Sequence, residues 1–333
     1  MKVNRIGIIG CGRAGREHAR ASTLLGARVA LLCDRDISRA RTLAGEHPDS
    51  VVLEDFQSID WSSIDAVFVC TPPASRGPAE LAAIQAGIPV MVEKPVGLSA
   101  EGCMPLLKAL REKPVINSVG YMNRYRDSVS KAQKLLADTE LVGIVCNWIG
   151  GIYRVPWWLQ RNASGGPFNE QGTHLVDLCR LFLGEITEVF AMAGNSSMHK
   201  DLQETVVVTL RFLNEKFGTI FYSIRASEKH IHFQIFSTTD SVSLEGWDLK
   251  LKAQGATISS EEDIYVKEDA AFFNAISSGD QGVVKTPLED AIRTQLVVDT
   301  IHRSLASQKP EHVPLFDSNY FASGDYKNLE SIS

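Results

Sequence analysis

The stretch Ile6-Gly7-Ile8-Ile9-Gly10-Cys11-Gly12-Arg13-Ala14-Gly15 decides the reading of the fold. Residues 6–9 are a short apolar run closed by glycine, which reads as a buried strand. Gly10 to Gly15 match G-x-G-x-x-G, and residues 13–25 continue as a helix. The motif is weak alone. Here it joins a strand to a helix, and Asp34 ends the next strand roughly 20 residues on, which completes a dinucleotide-binding fingerprint. Gly10 permits the tight turn, Gly12 lets the backbone approach a pyrophosphate, and Gly15 lets the helix pack close to the sheet. Cys11, Arg13 and Ala14 fill out a loop whose free N–H groups, with the partial positive charge of the helix start, suit phosphates. Asp34 is expected to accept hydrogen bonds from ribose hydroxyls and to repel a 2′-phosphate, so NAD is expected rather than NADP. Arg35 beside it is either the residue that would hold that phosphate or a solvated charge at the strand end. The alternative for the whole motif is a glycine-rich turn in another α/β protein.

Outward from this point the chain alternates. Apolar runs at 28–33, 51–53, 66–70, 89–92 and 115–119 are separated by helical stretches at 38–44 and 80–86 and by one that Ser99 can cap. Such alternation implies βαβ units and a parallel sheet covered on both faces. Beyond residue 140 the pattern changes. One helix, 170–183, is followed by β-type runs at 189–193, 205–212, 219–224, 232–238 and 241–247, joined by short turns, which read as an antiparallel sheet. Two helical stretches, 264–277 and 288–304, follow, and the last dozen residues read as a poorly packed tail. The expected division is 1–120 and 121–333.

The 333 residues carry a formal charge of −6, with 44% hydrophobic and 22% charged residues. That composition excludes a largely disordered chain, and the acidity argues against nucleic acid as main partner. No run approaches the roughly 20 apolar residues of a membrane span, and the apolar run at 6–9 is too short for a signal-peptide core. The six cysteines form no C-x-x-C pair, so small buried thiols in the cytoplasm are expected rather than disulfides or a metal site.

Three clusters point to chemistry. Glu170, His174 and Asp177 are spaced four and three apart, which puts them on one side of a helix. A carboxylate there can fix the imidazole tautomer and leave His174 a general base near neutral pH; the alternative is a surface stripe of ion pairs. Gly165 and Gly166 just before it allow close approach of a ligand. Glu93-Lys94-Pro95 sits at the C-terminal end of a parallel strand, the edge where open α/β sheets bind ligands. Tyr153, Trp157 and Trp158 precede the glycine pair. Aromatic faces stack on sugar rings, although two tryptophans under a loop can equally be core. Arg124 is a further candidate for the pocket, and His230 and His232, on one strand face, read as packing or rim residues.

Together these pieces resemble the Gfo/Idh/MocA oxidoreductases. The resemblance rests on the fingerprint, Cys70-Thr71-Pro72-Pro73, Ala86–Pro95 ending in Glu-Lys-Pro, Val119-Gly120-Tyr121 with Arg124-Tyr125, and the Gly165–Asp177 block. It implies a Rossmann domain bearing the nicotinamide cofactor, bordered by Thr71, Pro72, Glu93 and Lys94. It also implies a second α/β domain with a large, open, mainly antiparallel sheet that binds substrate and forms a homodimer or homotetramer. A sugar, cyclitol or aminosugar would be oxidised at a ring hydroxyl, or the ketone reduced. His174 would take the proton, Lys94 would bond the same oxygen, and Glu170 would orient His174 or bind a neighbouring hydroxyl. Two departures stand out: Glu170 replaces the family's aspartate, and Arg76 stands where many members have histidine. A glycoside-cleaving enzyme using transient oxidation would need the same residues. A sugar-sensing regulator would typically lack Lys94 or His174.

Overall fold

The structure, a computed structural model, describes residues 2–194, 202–253, 255–261 and 263–314. In its first half, near-continuous apolar runs become parallel strands: β1 Arg5–Ile9, β2 Arg28–Cys33, β3 Val51–Leu53, β4 Ala66–Val69, β5 Val90–Val92 and β6 Asn117–Val119. Among the described residues they form a six-stranded sheet in the order β3-β2-β1-β4-β5-β6. This is the doubly wound order of dinucleotide-binding domains. The intervening helices are α1 Arg13–Leu24, α2 Ile37–Ala44, α3 Pro78–Ala86 and α4 Met104–Glu112. α3 ends at Gly87, whose φ of 81° is the left-handed cap that glycine takes without strain. Ile6, Ile8 and Phe68 pack to one face of the sheet with Ala19 of α1. Val67, Val69 and Val92 pack to the other with Ala83 and Leu106.

The second half begins with α5 Asp127–Leu136 and β7 Leu141–Ile149, then short α6 Arg161–Ser164 and α7 Thr173–Leu183. β8 Ile186–Ala193, β9 Thr205–Phe212, β10 Phe217–Ser223, β11 His230–Ser237, β12 Ser241–Glu245, β13 Lys250–Ala253 and β14 Ala256–Ile258 follow. The described residues end with α8 Ile264–Ser278, α9 Leu288–Ser307 and β15 Glu311–His312. The described strands build a nine-stranded sheet, β14-β13-β12-β11-β7-β10-β9-β8-β15, antiparallel except where β7 lies parallel to β10. β9 alternates strictly: Val206, Val208, Leu210 and Phe212 are buried, against exposed Val207, Thr209 and Arg211. The buried row meets Val176 and Cys179 of α7 and Val298 and Ile301 of α9, each such side chain contributing about 1.5–3 kcal/mol on burial. The other face is open and carries exposed Val145, Val207, Phe221 and Phe236.

Several elements are absent from the sequence reading: the short α6, β13, β14 and β15, and, more consequentially, α5 and the central strand β7. In β7, Gly143 interrupts the pattern. A Cβ there would meet the Phe217 carbonyl oxygen at 2.6 Å, so close strand packing demands glycine. The outward-facing Val142 and Val145 further blur the alternation. The chain is also less cleanly divided than a boundary at 120 implies. Phe272 and Phe273 of α8 complete the core over β1 and β4, and Leu288, Ala291 and Ile292 of α9 join the opposite face of the same sheet. The expected C-terminal tail lies outside the described residues. All six cysteines are free thiols, and no helix among the described residues is long and apolar enough to cross a membrane.

Candidate active site

The three fingerprint glycines have three distinct reasons. Gly10 has φ +93°, and a Cβ there would lie 2.7 Å from the Cys70 carbonyl carbon. At Gly15 a Cβ would meet the Gly10 carbonyl oxygen at 2.1 Å, so α1 could not sit so close to the β1 turn. Around Gly12 nothing lies within 4 Å of that position. α1 starts there without a side-chain cap, so the loop presents an open helix N-terminus that fits a dinucleotide's phosphates. Asp34 Oδ2 accepts the Cys11 N–H at 2.8 Å and Oδ1 the Asp36 N–H at 2.9 Å. Both bonds fix the carboxylate at the strand end, and each oxygen retains capacity for a hydroxyl donor. Arg35 is exposed next to it.

The end of β5 carries the first functional side chain. Arg76 donates to the Thr71 carbonyl from Nε and Nη2, at 3.0 and 2.8 Å, and to the Pro95 carbonyl from Nη1 at 2.7 Å. It thus staples the Thr71-Pro72 loop to the Lys94-Pro95 loop, which gives this departure from the family pattern a role. Glu93 corrects an expectation. Its carboxylate points into the protein, where Oε2 accepts the Lys94 N–H at 2.9 Å and Oε1 lies 3.4 Å from His18 Nε2. Burial alone would raise its pKa, but the His18 hydrogen bond and charge, then Lys94, hold it below the usual carboxylate value. His18 in turn bonds Asp269 at 2.8 Å. Burial opposes its protonation, but Asp269 and Glu93 outweigh that and raise the imidazole well above its ordinary value. Glu93 therefore supports the lysine loop from behind.

Opposite lies the Gly165–Asp177 block. Gly165 and Gly166 take φ 77° and 97°, and a Cβ on Gly165 would collide with the Asn169 amide at 2.4 Å. Asn169 is buried, donating to the Ser164 carbonyl at 2.8 Å and accepting from Gln295 at 2.8 Å. Residues Phe168–Gly172 form a π-helical turn before α7. The wider turn takes Glu170 off the stripe it would share with His174 on a regular helix. Glu170 therefore does not orient His174, as the spacing suggested. Its Oε1 pairs with Lys94 Nζ, its main-chain oxygen accepts from the same Nζ at 2.8 Å, and Oε2 accepts the Trp158 indole N–H at 2.7 Å.

His174, at the start of α7, is 4% exposed. Its ring lies parallel to Trp148, with centroids 5.9 Å apart, and edge-on to Tyr121 at 6.1 Å. Tyr121 is itself held by a 2.6 Å hydrogen bond with Thr173. Nδ1 is buried with no hydrogen-bond partner. Burial, then the charges of Lys94, Arg126 and Lys229, hold the imidazole well below its usual pKa. It is a neutral imidazole next to cations, suited to receive a proton.

Two further expectations need correction. Arg124 does not line the pocket: Nε and Nη2 grip Asp177 at 3.0 and 2.6 Å, Nη2 also lies 2.8 Å from the Asp290 carboxylate, and Nη1 donates to the Lys285 carbonyl at 3.1 Å. Trp158 is 2% exposed, so it supports Glu170 and offers no face to a sugar. Tyr153 packs on it with centroids 5.7 Å apart, and Tyr153 and Trp157 remain half-buried. His230 bonds Asn147 at 2.8 Å on the open side of the sheet. Sequence reading missed Trp148, Trp247, Arg126 and Lys229. Recognising β7 as a strand would have put Trp148 on its buried face; the other three carried no motif.

A Rossmann sheet, an open phosphate loop, and a lysine at a strand end whose charge reaches a buried histidine of α7 define a nicotinamide-type oxidoreductase. Comparison with known proteins gives the particular family. The profile of the oxidoreductase family with NAD-binding Rossmann fold, GFO/IDH/MocA, matches residues 4–121, and that family's C-terminal domain matches 139–243. The chain belongs to this family. It is 31% identical over 250 residues to an inositol 2-dehydrogenase of Acidothermus cellulolyticus, covering 72% of each chain. It is 30% identical over 212 residues to inositol 2-dehydrogenase 2 of Saccharopolyspora erythraea, covering 62% of this chain and 61% of that one. Its fold is similar to that of GenD2 from gentamicin A biosynthesis, solved in complex with NAD, with a TM-score of 0.84 and 22% identity over 95% of this chain and 97% of that one.

Proposed function

We propose that the protein is an NAD-dependent dehydrogenase that oxidises a ring hydroxyl of a sugar, cyclitol or aminosugar. The observation that carries this reading is the convergence of Lys94 and a neutral, buried His174 at the end of β5, beside the open loop at Gly12. Lys94 Nζ has three donors, and Glu170 takes two through its main-chain and carboxylate oxygens. The third is free for the substrate hydroxyl and stabilises negative charge as it develops on that oxygen. His174 takes the hydroxyl proton, which its lowered pKa permits through neutral pH. When bound, the nicotinamide supplies the acceptor for the carbinol hydride. In the reducing direction His174 returns the proton. The relatives named as inositol dehydrogenases support the substrate class, and the fixed Asp34 carboxylate supports NAD over NADP.

The apolar open face of the nine-stranded sheet supports a homodimer or homotetramer, and six unpaired thiols suit the cytoplasm. The deciding experiment incubates the protein with NAD or NADP and a panel of inositols, aldoses and aminosugars and follows absorbance of the reduced cofactor. Stoichiometric NADH with a ketone product is expected. Glycoside cleavage without net NADH would replace this reading with transient oxidation.

A further inference from the structure

Glu170 answers Lys94, but the two other cations whose charge reaches His174 are answered less fully. The Arg126 side chain is 4% exposed. Its Nε donates to Asn123 Oδ1 at 2.9 Å, while Nη2 is buried with no hydrogen-bond partner. The carboxylate it pairs with, Asp248, stands 3.8 Å from Nη1 and is itself 60% exposed. Lys229 Nζ lies 3.9 Å from the Trp247 ring centre and 5.3 Å from that of Trp148. It has no carboxylate at ion-pair distance among the described residues. Ring contacts place Lys229 at the site, and the pair with Asp248 places Arg126 next to it. Asp248 follows Trp247, which meets Trp148 edge-on at 5.9 Å, and Trp148 lies parallel to His174.

A buried guanidinium with an unused N–H is costly unless something completes it. Lys229 is itself exposed and screened by water, so the buried Arg126, against one well-solvated carboxylate, is the main positive charge left near the general base. A neutral polyol supplies hydroxyls but does not cancel that charge. A planar oxyanion cancels it and matches the guanidinium edge. We propose that Arg126, backed by Lys229, forms an oxyanion subsite beside His174, so that the substrate is a sugar or cyclitol bearing a carboxylate or phosphate near the reacting hydroxyl. This rests on the dehydrogenase reading above and narrows its substrate. Lys229 also feels the charge of Arg13 in the fingerprint loop, so changing it would disturb the cofactor loop as well; Arg126 is therefore the residue to test.

The test compares neutral parents with their acidic partners on the NAD-loaded full-length protein: glucose with glucuronate and glucose 6-phosphate, galactose with galacturonate, and inositol with inositol 1-phosphate. Tryptophan fluorescence reads binding, and NADH absorbance reads turnover. At least one acidic partner is expected to bind 30-fold or more tightly than its parent; the uronate and phosphate arms show which oxyanion fits. Arg126→Leu is expected to reduce that acid-to-neutral ratio below about threefold, and Arg126→Lys to keep part of it. Because the readout is a ratio, a general loss of folded protein does not imitate it. Acidic partners that bind no better than their parents, or not at all, overturn the proposal. So does a ratio that survives Arg126→Leu. Acidic partners that bind in the expected ratio yet yield no NADH leave the subsite standing and remove the dehydrogenase reading.

Discussion

The segment from Glu170 to Asp177 makes two cation–carboxylate pairs, and they differ in what they leave unused. In the Arg124–Asp177 pair the side chains are 8% and 1% exposed, and the guanidinium is further occupied by Asp290 and the Lys285 carbonyl. In the Lys94–Glu170 pair the side chains are 14% and 17% exposed, and one ammonium donor remains open. The first pair is closed on itself and ties the loop after β6 to α7 and α9. The second ends at the cleft with capacity left over. Both look alike as charges in a sequence; spare hydrogen-bonding capacity is what separates a reacting group from a structural one.

The sharpest way to break this contrast is to remove the reacting groups. Lys94→Ala and His174→Ala should each lower kcat by roughly 10²–10⁴, with NAD binding, measured by titration calorimetry, unchanged. Turnover near wild type in either variant would place the chemistry elsewhere. Arg124→Leu should behave oppositely. It leaves Asp177 buried and unpaired, which costs about 3–5 kcal/mol of stability. A fall in Tm with kcat retained at low temperature is expected; an unchanged Tm with a raised substrate KM would return Arg124 to the pocket.

The pattern of what was legible follows the same physics. Motifs that act through backbone were readable, because only glycine satisfies Gly10 and Gly15. Alternation located β9 to the residue, from Thr205 to Phe212, because one face is buried and the other exposed. Side-chain roles were less readable. The four-residue spacing of Glu170 and His174 assumed a regular helix, and the π-helical turn at Phe168–Gly172 broke that assumption. From their chemistry Arg124 reads as a pocket residue and Trp158 as either a sugar contact or core, whereas partners distant in the chain, Asp290 for one and the β-sheet core for the other, bury them. Arg126 and Lys229 act on His174 from segments far apart in the chain, so no local pattern announced them.

Protonation sharpens the comparison further. Burial and three cations hold His174 below the ordinary imidazole value of 6.5. A group with a lowered pKa keeps its neutral, basic form down to lower pH. The acid limb of kcat/KM is therefore expected below pH 6.5, with no loss of rate between about pH 6.5 and neutrality. A limb at or above 6.5 would mean that the imidazole is solvated or that another base acts. The cations should sharpen this further: Lys229→Met removes one of them and is expected to move the limb upward.

The smallest expected effect concerns the support of Glu170. Trp158 donates its indole N–H to Glu170 Oε2 at 2.7 Å, from a side chain with no access to ligand. Trp158→Phe keeps most of the buried ring and removes that donor. A hydrogen bond to a charged group is worth about 1.5–3 kcal/mol, but only the part that holds Glu170 against Lys94 reaches the chemistry, because Glu170 keeps both contacts to Nζ. A decrease in kcat of about three- to tenfold is expected, with KM nearly constant and the acid limb in place, since the indole does not touch His174. If KM for the sugar rose and kcat held, Trp158 would be contacting substrate after all, and the division between a closed pair and an open one would have to be redrawn one residue nearer the core.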